Sequence, residues 1–275
     1  MKRSYNVNMP QMALGGLSEA WLFRELGDLH WAMICQGLGA RSSELADANG
    51  DRLYATFTRI RIESSIPLLA YRENDHLEAE ASISRFGGAV FLGEASVTGE
   101  RGSIRAELMS SFTKRSNPGS NLSLLKGQPA VPEDCAVPLL GELPQFAQEY
   151  RAVRAVRDRP VLFESDYELL PYHDINGVGL LYFAAYPTIN DLSELGYVED
   201  RNDWCLNFST RRRDVYYFGN CNLGDRIIYR LHEAERGEDE ATLTSSLVRA
   251  SDQAPIAHLV TTKTRLAEAE DGRAP

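Results

Sequence analysis

A chain of 275 residues, 43% hydrophobic and 25% charged, has the composition of a folded globular protein and length enough for one large or two modest domains. Its net charge of −10 argues against a general nucleic-acid binder, which would present a basic face, so any anionic ligand has to be held by local cations. No run approaches the roughly 18 uninterrupted apolar residues of a membrane helix, and the opening Met1-Lys-Arg-Ser-Tyr-Asn-Val-Asn8 lacks the apolar core of a signal peptide.

The cysteines Cys35, Cys135, Cys205 and Cys221 form no C-x-x-C pair and read as buried thiols, so a cytoplasmic protein with no nucleic-acid or membrane partner is expected. Residues 4–14 have the character of a short strand. Gly15-Gly16-Leu17-Ser18 then opens a long helix from Ala20 to about Leu38, capped by Ser18, with Trp21, Leu22, Leu26, Leu29, Met33 and Ile34 near helical spacing. After the turn at Ala48–Asp51 come strand-like runs over 52–63, 76–85, 90–98 and 104–114, each bounded by Gly, Asn or Asp as antiparallel hairpins require. Residues 116–144 hold five of the twelve prolines without clear periodicity and read as a surface linker. A connecting helix over Gln145–Val156 follows, with Arg151, Arg154 and Arg157 at three-residue spacing. The unit then starts again: a strand over 161–169, a helix from Asn176, strands over 204–218, 226–235, 241–249 and 255–265, and a frayed tail.

Subtraction supports a repeat. Gly16 to Asp28 and Gly179 to Asp191 are both 12 residues, and Asp75 and Asp225 both stand 40 residues before an arginine, Arg115 and Arg265. A single sheet wrapped on a helix would leave an edge strand unpaired, and a tandem copy can cover that edge within one chain. The expected fold is therefore α+β, two fused copies of an antiparallel sheet around a long helix: a first domain over 1–115, a linker and connecting helix over 116–158, a second domain over 159–266 and a flexible tail over 267–275.

The most informative stretch runs from Asp174 to Asp191. A polar, glycine-rich entry, Asp174-Ile-Asn176-Gly177-Val-Gly179, leads into the apolar run 180–185, which reads as a helix buried on most sides with Asn176 or Asp174 as its cap. Free N–H groups at such an end favour a developing negative charge, and the glycines let another molecule's atoms approach. An ordinary core helix with a glycine-rich start is the alternative. The spacing of Asp174, Gly179, Tyr182 and Tyr186 resembles that of hot dog acyl-thioester enzymes of the 4-hydroxybenzoyl-CoA thioesterase kind, with Asn176 where those thioesterases carry the catalytic aspartate. Asn cannot act as a nucleophile or general base, which disfavours hydrolysis by that route, but its amide and the Gly179 N–H would suit an oxyanion hole. There is no G-x-S-x-G elbow, Walker loop or H-E-x-x-H, and the five histidines lack metal-ligand spacing, so no metal or cofactor beyond a CoA thioester substrate is expected.

Two stretches, Gly15 to Trp31 and Gly50-Asp-Arg-Leu-Tyr54-Ala-Thr-Phe57, with Glu73-Asn-Asp75, resemble the bifunctional acyltransferase/decarboxylases of bacterial polyketide clusters, leinamycin-pathway type. That resemblance implies a double hot dog that decarboxylates methylmalonyl-CoA and passes the acyl group to an acyl carrier protein, with a tyrosine in the site that falls on Tyr54. From the residues alone, Tyr54, Thr56 and Thr58 share a strand face, and 21 residues before Asp225 stands Trp204 where Tyr54 precedes Asp75. A phenol is a poor nucleophile but a reasonable proton donor near neutrality, so proton donation and acylation of Tyr54 both stay open, as does an ordinary strand tyrosine. Gly177, Thr56, Arg211 and Arg213 are the candidate substrate contacts; Arg211-Arg212-Arg213 and the Arg151/Arg154/Arg157 row are the densest positive features, and merely solvated rows are their alternative reading. A hot dog thioesterase or dehydratase, or a non-catalytic carrier-binding module, is the rival function. Pairing with a second copy stays open.

Overall fold

The computed structural model describes residues 1–117, 119–155 and 159–267. The first unit runs β1 (Lys2–Asn6), a minimal hairpin of β2 (Met12–Ala13) and β3 (Gly16–Leu17), α1 (Glu19–Leu38), then β4 (Tyr54–Ser64), β5 (His76–Phe86), β6 (Val90–Gly99) and β7 (Ser103–Arg115). After β8 (Leu124–Gly127) and α2 (Gln145–Ala155), the order recurs: β9 (Phe163–Glu168), α3 (Pro171–Asp174), α4 (Ala185–Glu194), α5 (Arg201–Asn207), β10 (Phe208–Tyr217), β11 (Arg226–Arg236), β12 (Glu240–Arg249) and β13 (Pro255–Arg265). One sheet joins both units in the order β1-β5-β6-β7-β4-β10-β13-β12-β11-β9, with β8 added beside β7. Read outward from the central β4–β10 pair, the two halves repeat each other strand for strand, β7 matching β13, β6 matching β12 and β5 matching β11. This is the double hot dog the repeat implies.

Alternation on the central strands sets the layers. Ile60 and Ile62 turn toward the helices and join the core with Leu22, Phe23, Leu26 and Leu29 of α1. Arg59 turns to the opposite face, where its guanidinium takes both oxygens of Asp214 (2.8 and 2.6 Å) and reaches the Phe146 carbonyl (2.6 Å) and Glu149 (2.9 Å) of α2. The linker helix is thus pinned across the junction of the halves. No helix among the described residues is long and apolar enough to cross a membrane.

Ser18 caps α1 as expected, its Oγ accepting from the Trp21 N–H at 3.3 Å, and Gly39 ends it at φ 63°. The second helix departs from expectation: α4 begins at Ala185, nine residues after Asn176. Pro187 accounts for this. It has no N–H and fits a helix only in its first turn, so a helix containing Pro187 starts just before it. Residues 176–184 instead form a turn and an irregular segment. The expected strand from Trp204 is also shortened, because Asp200 caps α5 through the Asp203 N–H (2.9 Å) and places Trp204 on that helix; β10 starts at Phe208. The first strand falls at 2–6 rather than 4–14. The linker is less peripheral than its prolines imply, since it supplies β8. Arg157 and the tail from Glu268 onward lie outside the described residues.

At Gly27, α1 meets the segment that leads into α4: an added Cβ there would lie 2.2 Å from Cζ of Phe183. Gly27→Ala is expected to cost about 1–3 kcal/mol through overpacking and to drive the Phe183 ring from its seat; urea unfolding of the variant measures the cost.

Candidate active site

The central β4–β10 ladder runs only from Arg59 opposite Tyr216 to Glu63 opposite Arg212. Residues 54–57 of β4 keep β7 as neighbour but have no partner from β10, whose chain leaves the sheet as Phe218-Gly219-Asn220. The opening between them is a cavity of about 910 Å³, walled by Thr56, Phe57 and Thr58 of β4, Ser111 and Thr113 of β7, linker residues, one face of α2, and Asn176, Phe183 and Tyr186. A cavity of this size falls in the range of about 300–1,000 Å³ usual for small-molecule sites.

Asn176 organises the turn on one wall. Its Oδ1 accepts from the N–H groups of Val178 (3.1 Å) and Leu180 (3.0 Å), and its own N–H donates to the Leu180 carbonyl at 2.8 Å. Gly179 sits at φ 77°, where a side chain would strain the backbone. From outside, Arg115 donates to the Val178 carbonyl at 2.5 Å, Asn121 Nδ2 to the Gly179 carbonyl at 2.6 Å, and the Leu181 N–H to Asn220 Oδ1 at 2.9 Å. Asp174, wholly buried, is held by the Leu170 N–H (2.7 Å), the Tyr167 hydroxyl (3.0 Å) and His173 Nδ1 (2.7 Å). It holds the turn in place.

These contacts revise the expected roles. The Gly179 N–H donates to the Asn176 carbonyl at 2.9 Å, so it is not an oxyanion donor, and Gly177 stands exposed at the turn tip, off the cavity wall. The segment just before α4 does reach the cavity, through Phe183, whose N–H meets no acceptor among the described residues; Ala184 lies off the wall. Asn176 and Thr56 do line the wall. Asn176 Nδ2 makes no hydrogen bond among the described residues, whereas Thr56 Oγ1 donates to the Ser111 carbonyl at 3.3 Å. Proline position in the sequence is the signal that would have found Phe183.

Arg213 is fully buried beneath α1 and α4, bonded to Glu19 and Asp191, and Arg211 donates to the Ser64 carbonyl at 2.7 Å. Neither reaches the cavity, because the strand disperses the three arginines. The linker row fares otherwise, with Arg151 and Arg154 both on the cavity wall.

Tyr54 stands beside the wall. The guanidiniums of Arg52 and Arg115 lie 5.2 Å from its ring centre, and its hydroxyl meets Arg115 Nη1 at 3.5 Å, so Arg115 links it to the 176–179 turn. Tyr54→Phe is accordingly expected to change turnover by less than about threefold, since so long a contact contributes little. An acyl adduct on Tyr54 after quenching would contradict this placement.

The phenols on the wall are all committed: Tyr186 to the Gly219 carbonyl (2.9 Å), Tyr217 to that of Phe183 (3.1 Å) and Tyr150 to that of Tyr217 (2.9 Å). Burial pushes all three above the ordinary phenol range, so none is a ready proton donor. His30 packs behind Phe57 with its Nε2 on Ser110 Oγ (2.8 Å), and burial pushes it down to about 3, which keeps it neutral. Among the described residues no carboxylate or imidazole lines the cavity, and no group of His, Cys, Asp or Glu is placed to hold a metal ion.

The pseudo-twofold places a counterpart at the start of α1, and it is largely filled. A Cβ on Gly16 would lie 2.4 Å from Leu69 Cα, the Leu69 N–H donates to Ser209 Oγ (2.9 Å), and Glu19 is taken by Thr210 and Arg213. What is left is a hollow of about 370 Å³.

No family model matches the sequence, and comparison with curated proteins gives no significant match. The architecture does have counterparts along its whole length. A protein described as an oleoyl thioesterase from Lactobacillus plantarum superposes with a TM-score of 0.70 at 10% identity, over 98% of this chain and 96% of that one. An acyl-ACP thioesterase from Bacteroides thetaiotaomicron gives 0.61 at 13% identity, over 96% and 97%. A 12:0-ACP thioesterase from Umbellularia californica gives 0.61 at 10% identity, over 97% of both chains. At these identities the likeness establishes the fold: the chain is an α+β protein of double hot dog architecture.

Proposed function

We propose that this protein is an enzyme of acyl thioesters, carried on CoA or on an acyl carrier protein, and that it cleaves the thioester bond. The cavity at the junction of the halves carries this reading, because it is more than twice the volume of its counterpart across the pseudo-twofold and its wall presents the unspent amide donor of Asn176. The acyl group would lie against Phe57 and Phe183, with the thioester oxygen toward Asn176 Nδ2 and the Phe183 N–H. Such donors stabilise the charge that forms on that oxygen when water adds to the carbonyl carbon, after which the C–S bond breaks and the sulfur leaves as a thiol. The full-length fold shared with proteins described as acyl-ACP and oleoyl thioesterases supports the same substrate class.

One observation favours a second reading. The cavity wall holds no carboxylate or imidazole among the described residues, so hydrolysis there depends on carbonyl polarisation without a side-chain base. Loss of carbon dioxide from a malonyl-type thioester needs no base: the C–C bond pair passes into an enolate whose charge rests on the same oxygen. The decarboxylating, acyl-transferring role, with (methyl)malonyl-CoA as donor and a carrier protein as acceptor, otherwise rests on the sequence resemblance alone.

Incubation with saturated acyl-CoA substrates, malonyl-CoA and methylmalonyl-CoA, with and without a carrier protein, separates the two. Free thiol matched by free acid is the expected result. Propionyl-CoA or propionyl-carrier from methylmalonyl-CoA would establish decarboxylation instead, and binding without any product would leave a carrier-binding module.

A further inference from the structure

The cavity wall is electrostatically one-sided. Three cations line it, Lys126 on β8 and Arg151 and Arg154 on α2, and no acid does among the described residues, in a chain of net charge −10. All three come from the segment between the two copies. On α2 the residues Ala147, Tyr150, Arg151 and Arg154 line the cavity together, an i, i+3, i+4, i+7 face. That face is fixed: Arg59 clamps Phe146 and Glu149 from below, and the Tyr150 hydroxyl is tied to the Tyr217 carbonyl. Both arginines are exposed and form no ion pair among the described residues. The counterpart hollow differs, because its arginines Arg211 and Arg265 share the wall with Asp239 and Glu240. A chain with one linker can furnish only one of two pseudo-equivalent sites with such a cation set.

We propose that Arg151 and Arg154, with Lys126, form the recognition site for the phosphorylated pantetheine arm of the substrate, so that the linker selects both the carrier and the half of the molecule that works. This rests on the acyl-thioester reading above. Guanidinium groups match phosphate oxygens in paired, charge-assisted hydrogen bonds, and two of them one helical turn apart suit a phosphodiester or diphosphate better than a single carboxylate. The acyl end then points inward to the aromatic wall, and the phosphate stays at the wetter rim.

The test compares one acyl group on CoA, on 4′-phosphopantetheine and on N-acetylcysteamine, which keeps the thiol end of the arm without any phosphate. Wild-type protein is expected to show a KM for the N-acetylcysteamine thioester at least about 10-fold above that for a phosphate-bearing one, a ratio that shrinks with added salt. In the double variant Arg151→Ala/Arg154→Ala that ratio should fall to within about 2- to 3-fold of unity, and Arg151→Lys/Arg154→Lys should keep part of it. Loss on acyl-phosphopantetheine as well as acyl-CoA locates the contact on the phosphate shared with a carrier protein; loss on acyl-CoA alone locates it on the nucleotide diphosphate. An unchanged ratio in the alanine variant, with circular dichroism like the wild type, overturns the proposal. So does a variant that stops distinguishing malonyl- from propionyl-N-acetylcysteamine, which would make the cations readers of an acyl carboxylate. Calorimetric titration with CoA alone tests the site apart from turnover: weaker binding in the variant supports it even where no thioester is cleaved, and equal binding in both proteins removes it.

Discussion

Arg213→Met is expected to lower the unfolding free energy by about 2–4 kcal/mol, the cost of leaving two half-buried carboxylates without the buried counter-charge they share. Arg213 is fully buried and gives Glu19 two bonds (2.7 and 3.0 Å), Asp191 one (2.7 Å) and Thr261 Oγ1 one (2.6 Å). It therefore joins α1 of the first half to α4 of the second through a strand at the junction. Lys263 completes the cluster, at 3.0 Å from Asp191 and 2.7 Å from Glu194. Burial alone would raise Asp191; the charges of Arg213 and Lys263 outweigh it and hold the carboxyl down at about 2. Its folded value thus lies below its unfolded value of about 3.9, so the stability it contributes is present above that value and is lost as pH falls toward 2. In the variant the depression lessens, and acid unfolding should begin at higher pH. Urea titrations at pH 7 and pH 3 on both proteins measure the two effects, and an unfolding free energy within about 1 kcal/mol of wild type at pH 7 would show that the cluster relaxes around the loss.

The same cluster shows where sequence reasoning succeeds and where it stops. Strands such as 76–86 and 255–265 are legible because their alternation and the turn residues around them are local. The tandem arrangement is legible because spacing survives even where identity does not. Helix starts are less so: the apolar run 180–185 has helical composition, but Pro187 and the left-handed Gly179 decide where the helix begins. The adjacent arginines at 211–213 look like one patch in sequence, yet in the folded strand Arg213 enters the core while Arg212 stays exposed. Arg59 is hidden for a related reason, since nothing local pairs it with Asp214, 155 residues away. The cavity depends on β10 leaving β4 after Tyr216, a property of two strands together that neither one displays alone. Of the expected site residues, Thr56 reaches the wall on the strand its alternation implies, whereas Asn176 reaches it from a turn and not from the expected helix start.

For the reaction itself, Asn176→Asp is the sharpest change available, with an expected fall in kcat of about 10²- to 10³-fold and little change in the unfolding midpoint. Alanine at this position removes the acceptor of the Val178 and Leu180 N–H groups along with the amide, and the loss of two hydrogen bonds, about 0.5–1.5 kcal/mol each, would blur a catalytic effect with a misplaced turn. Aspartate keeps the acceptor oxygen and so keeps the turn, but it exchanges Nδ2, the unspent donor on the cavity side, for a second oxygen. An oxyanion that Nδ2 would have held is then met by a negative charge. Two backbone N–H bonds on the carboxylate favour its ionised form and make it a weak base, so activation of water by the new group does not offset the loss. Saturation kinetics on an acyl-CoA, with thermal unfolding of the same preparations, supply both readings. If kcat stays within about threefold of wild type, Asn176 is a turn residue only, and the N–H group of Phe183 is left as the donor to the thioester oxygen.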